Sequence, residues 1–463
     1  NRDKGVNMKG KKVVFGAFIS VVFLLGHSAY ADSGGDDYIV YLKTPQNRIR
    51  AAQSETNKNY ITASADELQK LLKDGNVTFY EPNCEVKLFE DFSGDQATGQ
   101  WNLDSIKLSK AWQIGCYGND VKVGVIDSGV YKHPDLTANL FEGHNYLTGS
   151  DDTADNIGHG TFVSGIIAAE ANGKYIDGIA YHAKIVPLKC FDNGYTTKAS
   201  IIADAIYDAV DLYGCDVINM SFGMQQSLTS TTLQLSIRYA QQNGCILVAS
   251  VGNNGNSMVY YPAKYDGVIG VGAVDKNNQL SRFSQKNNTV DVVAPGQGIS
   301  SVSIPDFNKN SGTSFSAPHV SAMAAIAKCI DENITTEEFQ DILQKTSTQL
   351  GEGEYNTSFG YGLINIQAMI DEMLKKTEVF ISPIEKTNGG TNVTLYNNGS
   401  RQLSAKGIVA EYNEKQLAGF VTKDITLQSN ETVVLNGGQN NNVKFMLWSG
   451  WENLKPLTVC KEK

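Results

Sequence analysis

Gly312-Thr313-Ser314-Phe315-Ser316-Ala317-Pro318-His319-Val320 places a serine between a glycine turn and a run of small apolar residues, Ser321 to Ala327. That run reads as a helix, so Ser314 falls in its first turn, where backbone N–H groups have no partner within the helix. The positive end of the helix dipole points there too and favours a negatively charged oxygen beside Ser314. Pro318 is tolerated near a helix start, where few backbone donors are lost. By itself the stretch is equally an ordinary capped helix. The residues that decide between the two readings lie far away in the chain.

Upstream, from Trp101 to about Met373, apolar strands alternate with helices. Val121–Ile126, Lys184–Leu188, Val217–Met220, Ile246–Ser250 and Val268–Val274 read as strands. Ala199–Tyr213 and Thr229–Asn243 read as helices, each ended by a glycine, Gly214 and Gly244. Continuous apolar strands alternating with helices indicate a parallel sheet covered on both faces, an α/β architecture of three layers. In such sheets chemistry gathers at the carboxyl ends of the strands. Asp127 stands at one such end, in Val125-Ile126-Asp127-Ser128-Gly129. The alternative for Asp127 is a cap on the next helix.

Two further motifs belong with it. Gly158-His159-Gly160-Thr161 opens a helix that continues into Ile166-Ile167-Ala168-Ala169, and the flanking glycines let the ring stand in a crevice. Val251-Gly252-Asn253-Asn254-Gly255 follows the strand Ile246–Ser250 and offers an amide donor to a cleft. A lone histidine is more often structural, and His319 is read that way; His144 and His182 show no partner in the sequence.

Asp127-Ser-Gly, Gly158-His159-Gly160-Thr161, Gly252-Asn253 and Gly312-Thr313-Ser314-x-x-Ala317-Pro318-His319 together resemble the subtilisin-like serine proteases, the subtilase or peptidase S8 family. The order Asp, His, Ser along the chain is that of subtilisin itself. The resemblance covers about Trp101 to Ile370, with Trp101-Asn-Leu-Asp-Ser-Ile-Lys similar to the start of the family's mature enzyme and Tyr361-Gly362-Leu363-Ile364-Asn365 to its closing segment. It implies a serine endopeptidase acting on proteins or peptides, with Ser314 as nucleophile, His159 as general base and Asp127 orienting the imidazole. Asn253 and the Ser314 N–H would bind the oxyanion. Ser221-Phe222-Gly223 and Gly252 would pair with extended substrate, and Tyr260 would stand at the floor of the primary specificity pocket, shortening it or turning outward. His133-Pro134-Asp135-Leu136 and Glu170-Ala171-Asn172-Gly173 fall where many relatives build a calcium site; Asp135 and Asn172 supply suitable oxygens, and Lys174 in the loop opposes it. No cofactor is required for the chemistry.

The flanks extend the resemblance. Lys9, Lys11 and Lys12, the apolar run Val13 to Leu25 and Ala29-Tyr30-Ala31 read as a signal peptide over residues 8–31. About 13 apolar residues are too few to span a bilayer core of ~30 Å. The expected product is secreted or loosely attached to the surface of a bacterial cell, with no membrane span after signal removal. Residues 37–89 hold strands Tyr38–Leu42 and Val77–Tyr80, a helix Ser64–Leu72 capped by Ser64 or Asp66, and an extended piece Cys84–Phe89. About fifty residues make a marginal domain alone. This α+β unit resembles the family's inhibitory pro-domain, the chain's own intramolecular inhibitor, with Phe89–Glu90 as a candidate self-cleavage bond. Residues 90–100 read as a linker and 101–374 as the catalytic domain.

Beyond Lys375 the composition turns to Asn, Thr, Gly and Val. Short strands at Asn392–Tyr396, Lys406–Tyr412, Thr432–Leu435 and Asn442–Trp448 read as a β-sandwich over 376–463, similar to immunoglobulin-like or fibronectin-like modules. An exported binding or adhesion protein, with this sandwich as the working part and an inactive protease domain, is the rival reading.

Composition excludes other classes. Of 463 residues 41% are hydrophobic, and the net charge of −10 argues against a nucleic-acid partner. Seven cysteines without metal-like spacing, several inside apolar runs, read as free buried thiols. The expected state is a monomer.

Overall fold

Val123, Val125 and Val217 pack on one face of a sheet whose other face carries Ile126, Ile218 and Met220, so neither side of these strands meets water. That is why the strands are apolar throughout rather than alternating. The computed structural model describes residues 37–43, 58–89, 95–96, 99–387, 390–413, 416–437, 443–449 and 461–462; the signal-peptide segment, Glu90 and Cys460 lie outside them. The sheet has seven strands in the order Val292–Pro295, Val268–Val274, Ile246–Ser250, Val217–Met220, Lys122–Asp127, Lys184–Lys189 and His144–Asn145. Every pairing in it is parallel.

Helices Thr313–Ile330 and His159–Ala168 cover the first face, and Ala199–Asp211 and Thr231–Gln242 the second. Gly214 (φ +58°) and Gly244 (φ +85°) follow the last two helices in left-handed conformation, which glycine adopts without strain. From Lys122–Asp127 the chain builds outward to Lys184–Lys189 on one side, then returns to add Val217–Met220 on the other. Asp127 therefore ends the strand at which the order reverses, where open α/β sheets leave a crevice.

The N-terminal unit is an antiparallel sheet of Tyr60–Ser64, Asp37–Leu42 and Val77–Pro82 with the helix Ala65–Lys73, whose cap is Ser64 in a reciprocal pair with Glu67. Among its described residues the buried core cluster is Val40, Ala63 and Leu68, with Tyr38, Leu42, Leu71 and Val77 half-buried against it. So small a core needs a neighbour, and two helices of the main domain provide it. Tyr60 Oη donates to Asp204 Oδ1 at 2.7 Å and Tyr41 Oη to Thr232 Oγ1 at 3.1 Å. Glu81 is the strongest link: its carboxylate accepts from Thr231 N and Thr232 N, both at 2.9 Å, at the start of Thr231–Gln242. Asn83 Oδ1 likewise accepts from Ser200 N at 3.1 Å, in the first turn of Ala199–Asp211. Both helices thus have orphan donors satisfied from this unit.

At the other end, two four-stranded antiparallel sheets pack over Ile381, Leu395, Val409, Phe445 and Leu447. This sandwich sits tightly on the main domain. A Cβ at Gly115 would lie 2.8 Å from Thr394 Oγ1, and Tyr396 and Phe380 join the main core. Asn398 Nδ2 donates to Leu374 O and Thr377 O, each at 2.9 Å. Among the described residues, no helix is long and apolar enough to cross a membrane.

Candidate active site

Asp127, His159 and Ser314 come from three elements whose ends meet at the crevice. His159 is the first residue of its helix, after Gly158 at φ +98°. Its Nδ1 lies 2.7 Å from Asp127 Oδ1, both side chains being buried. A carboxylate accepts only, so Nδ1 carries the proton and Nε2 is the acceptor nitrogen. Ser128 N also donates to Asp127 Oδ1, at 2.7 Å. Gly160 allows the approach: a Cβ there would lie 2.2 Å from Gly129 O and 3.0 Å from Asp127 Cβ.

Asp155, unremarkable in the sequence, sets the histidine's loop. Its carboxylate accepts from Ile157 N, Gly158 N, Thr161 N and Thr161 Oγ1 at 2.6–3.0 Å. Burial pushes its pKa up, and those four bonds oppose the shift. An aspartate four residues before a histidine at a helix start was the available signal.

Ser314 is the second residue of the helix Thr313–Ile330, which begins earlier than its apolar run and carries Pro318 inside it. Ser314 Oγ donates to Ser221 O at 3.2 Å, and Ser221 Oγ donates to Ser314 O at 2.9 Å. Asn219 Nδ2 donates to Ser221 Oγ, and Ser321 Oγ to Asn219 Oδ1, both at 2.9 Å. The ring of Phe315, next to Ser314, lies 5.6 Å from the His159 ring. Asn253 Oδ1 accepts from Thr313 N at 2.9 Å and Thr313 Oγ1 at 2.8 Å. The amide is thereby oriented, with its Nδ2 donor on the side away from Thr313.

The crevice is filled by the chain itself. Glu85–Leu88 runs antiparallel between Thr196–Lys198 and Phe222–Gln225, with Lys87 opposite Gly223 and Leu88 opposite Phe222. Leu88 N also donates to Tyr195 O at 3.0 Å. Phe89 then places its ring against Gly223, where a Cβ would lie 2.3 Å from its Cζ, and edge-on to Tyr260 at 4.9 Å between centroids. Tyr260 is buried, its Oη donating to Asn254 Oδ1 at 2.7 Å, and its ring lies against Gly252. It faces inward and forms a wall for Phe89. Phe222 and Gly223 pair with the extended segment; Ser221 instead holds Ser314, and Gly252 N donates to Thr313 Oγ1 at 3.2 Å. The opposing strand Thr196–Lys198 was hidden because its polar residues carry no apolar signal.

His319 lies in the core: Nδ1 donates to Phe315 O at 2.8 Å and Nε2 accepts from Asn102 Nδ2 at 2.9 Å. Burial holds its pKa down at about 4. A histidine depressed from about 6.5 in the unfolded chain stabilises the fold above that pH. Stability is lost as pH falls from 6.5 toward 4, by a few kcal/mol. His319→Gln should flatten the fall in Tm over that window; an unchanged slope would show that other groups govern it. His144 and His182 do have neighbours, Asp151 at 3.3 Å and the rings of Tyr117 and Tyr181.

Asp135 is buried, with Oδ1 accepting from Asn172 Nδ2 at 2.7 Å and Oδ2 without a hydrogen-bond partner. Asn172 turns its oxygen to Lys174 N at 3.0 Å, and Gln100 makes two 2.8 Å bonds with the Asp177 backbone. Calcium takes six to eight oxygens; here only Asp135 Oδ2 is presented, so the set as arranged fits the ion poorly. Among the described residues no group of three or more His, Cys, Asp or Glu could hold a metal ion.

Residues 118–362 match the model of the Subtilase family. The chain is 30% identical to Minor extracellular protease Epr of Bacillus subtilis over 420 residues, 86% of this chain and 64% of that protein. It is 34% identical over 269 residues to Subtilisin Savinase of Lederbergia lenta, covering 58% of this chain and 97% of that one. Among solved structures, a protease from Pseudoalteromonas arctica matches with a TM-score of 0.56 and 28% identity, over 61% of this chain and all of that one.

Proposed function

The chain belongs to the subtilase family of serine-type endopeptidases, and on that premise we propose that it is a secreted bacterial enzyme that releases itself from its own N-terminal unit before cutting other proteins. The observation that carries this reading is the strand Glu85–Leu88, extended between Thr196–Lys198 and Phe222–Gln225, the latter directly after Ser221, whose carbonyl accepts from Ser314 Oγ. An extended peptide paired on both edges is how a substrate would lie there.

In the proposed reaction His159 Nε2 takes the proton of Ser314 Oγ as that oxygen attacks the peptide carbonyl. Asp127, 2.7 Å from Nδ1, holds the ring in the tautomer that can accept and stabilises the imidazolium that follows. The tetrahedral oxyanion is met by Asn253 Nδ2 and Ser314 N, fixed donors in a water-poor site. His159 then gives its proton to the leaving amine, and water repeats the sequence to free the acyl group. The proposed chemistry is carried by these side chains and calls for no cofactor.

Residues 37–89 act here as an inhibitor. Glu81 and Asn83 anchor the unit on two helix starts while Phe89 occupies the primary pocket. Phe89 is the last described residue of the segment, and we take the bond after it as the one cut, so N-terminal sequencing of the processed protein should begin at Glu90, reading Glu-Asp-Phe-Ser. Phe89→Asp, which would set a charge against the Tyr260 ring, should slow processing at least tenfold. A mature terminus elsewhere, with unimpaired processing of the Phe89 variant, would refute the assignment of this bond.

A further inference from the structure

Lys189 ends the strand Lys184–Lys189 and stands beside Asp127 in the parallel register. Its side chain is buried, at 3% exposure, and its Nζ donates to Ser128 O at 2.6 Å. Among the described residues it forms no ion pair with a carboxylate. A buried ammonium without a counter-ion is unfavourable unless its surroundings use the charge.

Those surroundings converge on one residue. Ser128 sends its N–H to Asp127 Oδ1 at 2.7 Å, accepts Gly160 N on its Oγ at 2.9 Å, and gives its carbonyl to Lys189. Gly160 directly follows His159 in the chain. The turn is tight as well: Gly129 has φ +98°, and a Cβ there would lie 2.3 Å from Thr153 O. One peptide turn therefore links the acid, the helix start that carries the base, and the buried cation. Asp127 Oδ2 is buried without a hydrogen-bond partner, so its negative charge gains from a nearby positive one.

The other charges of this region are accounted for. The neighbouring Cys190 thiol is buried and kept neutral, its pKa raised well above the ordinary value by desolvation. Asp204 and Asp208 reach the same region from the helix Ala199–Asp211, and Lys58 lies 3.1 and 3.6 Å from them.

We propose that Lys189 is a positioning residue for the Asp127–His159 pair: its ammonium clamps the Asp127–Gly129 turn through Ser128 O and sets a buried positive charge beside the end of the Asp127 strand. This rests on the peptidase reading above. It reaches neither substrate nor Ser314, so its loss should appear in turnover rather than in substrate binding.

The test uses the full chain with Lys189→Met, Lys189→Arg and Lys189→Gln beside the wild type and Ser314→Ala. Self-processing rate, and kcat and KM on a peptide with phenylalanine before the cut, are normalised to folded protein by circular dichroism. Lys189→Met should lose at least tenfold in kcat with KM within about twofold, and Lys189→Arg should recover most of it. If Lys189→Met does not fold, Lys189→Gln, which keeps a donor for Ser128 O without the charge, should show the same kcat-selected loss. Wild-type kcat in the uncharged variants, with only Tm lowered, would reduce Lys189 to a structural residue and overturn the proposal. So would an arginine variant as slow as methionine. A wild type no more active than Ser314→Ala would instead sink the peptidase reading.

Discussion

Ser314→Ala should leave the purified protein inert toward peptide substrates at the level of its own background. The substitution takes away the hydroxyl proposed as nucleophile, which stands in the first turn of the helix Thr313–Ile330 and donates to the Ser221 carbonyl. In subtilisin the loss of the corresponding serine costs roughly 10⁶ in kcat, and oxyanion donors and binding alone leave a small remainder. The substitution deletes one oxygen from a buried site and keeps the backbone bond from Ser221 Oγ to the residue 314 carbonyl. The fold should therefore survive, and a Tm within a few degrees of wild type would separate lost chemistry from lost structure. Hydrolysis above background, measured by release of a chromogenic amine, would contradict the role given to Ser314.

The second large effect concerns Asp127→Asn. The asparagine oxygen could still accept from Ser128 N, since that bond needs only an acceptor. The same oxygen accepts from His159 Nδ1, so the NH₂ group would take the place of Oδ2 and the ring could keep its tautomer. What is lost is the negative charge that would stabilise the imidazolium formed as His159 takes the proton of Ser314. Turnover should fall by roughly 10⁴, the magnitude seen when a triad aspartate is amidated elsewhere. KM should move little, because Asp127 is fully buried and does not touch the strand Glu85–Leu88 in its pairing. A variant retaining more than about a tenth of wild-type kcat would mean that the chemistry does not depend on the Asp127 charge.

Much of this architecture was legible before any coordinates. Long apolar runs such as Val268–Val274 can only be strands covered on both faces, and glycines at 214 and 244 end their helices for steric reasons. Val292–Pro295 and His144–Asn145 escaped, the first being four residues ended by proline and the second two polar residues. Of the site, the residues proposed to do chemistry stand out in the sequence because they sit in glycine-flanked motifs. The residues that hold them do not. Asp155 bonds only within its own loop, and its place before His159 was the one signal. Ser128 and Lys189 act through bonds to other segments and Asn219 through the hydroxyls of Ser221 and Ser321, so nothing beside them in the sequence announces the role. Glu81 and Asn83 are similar: their partners at Thr231 and Ser200 lie 150 and 117 residues away along the chain. Tyr260 shows a different limit. Whether its ring faced in or out depended on Asn254, which takes its hydroxyl, and on Gly252, which leaves room for the ring.

These contacts also explain why the crevice is filled rather than open. The N-terminal unit has too small a core to stand alone, and it is anchored by Glu81, Asn83, Tyr41 and Tyr60 on the two helices Ala199–Asp211 and Thr231–Gln242. Its last strand then fits between Thr196–Lys198 and Phe222–Gln225, and the glycine at 223 admits the Phe89 ring. In the proposed cycle the same interactions that fold the unit present its final bond to Ser314.

The most direct test is therefore the intact mass of the purified full chain before and after incubation, wild type beside Ser314→Ala. The wild type should split into two species whose masses place the cut between Phe89 and Glu90, while the variant keeps one mass throughout. A Ser314→Ala protein that still divides at that bond would contradict the account at its centre.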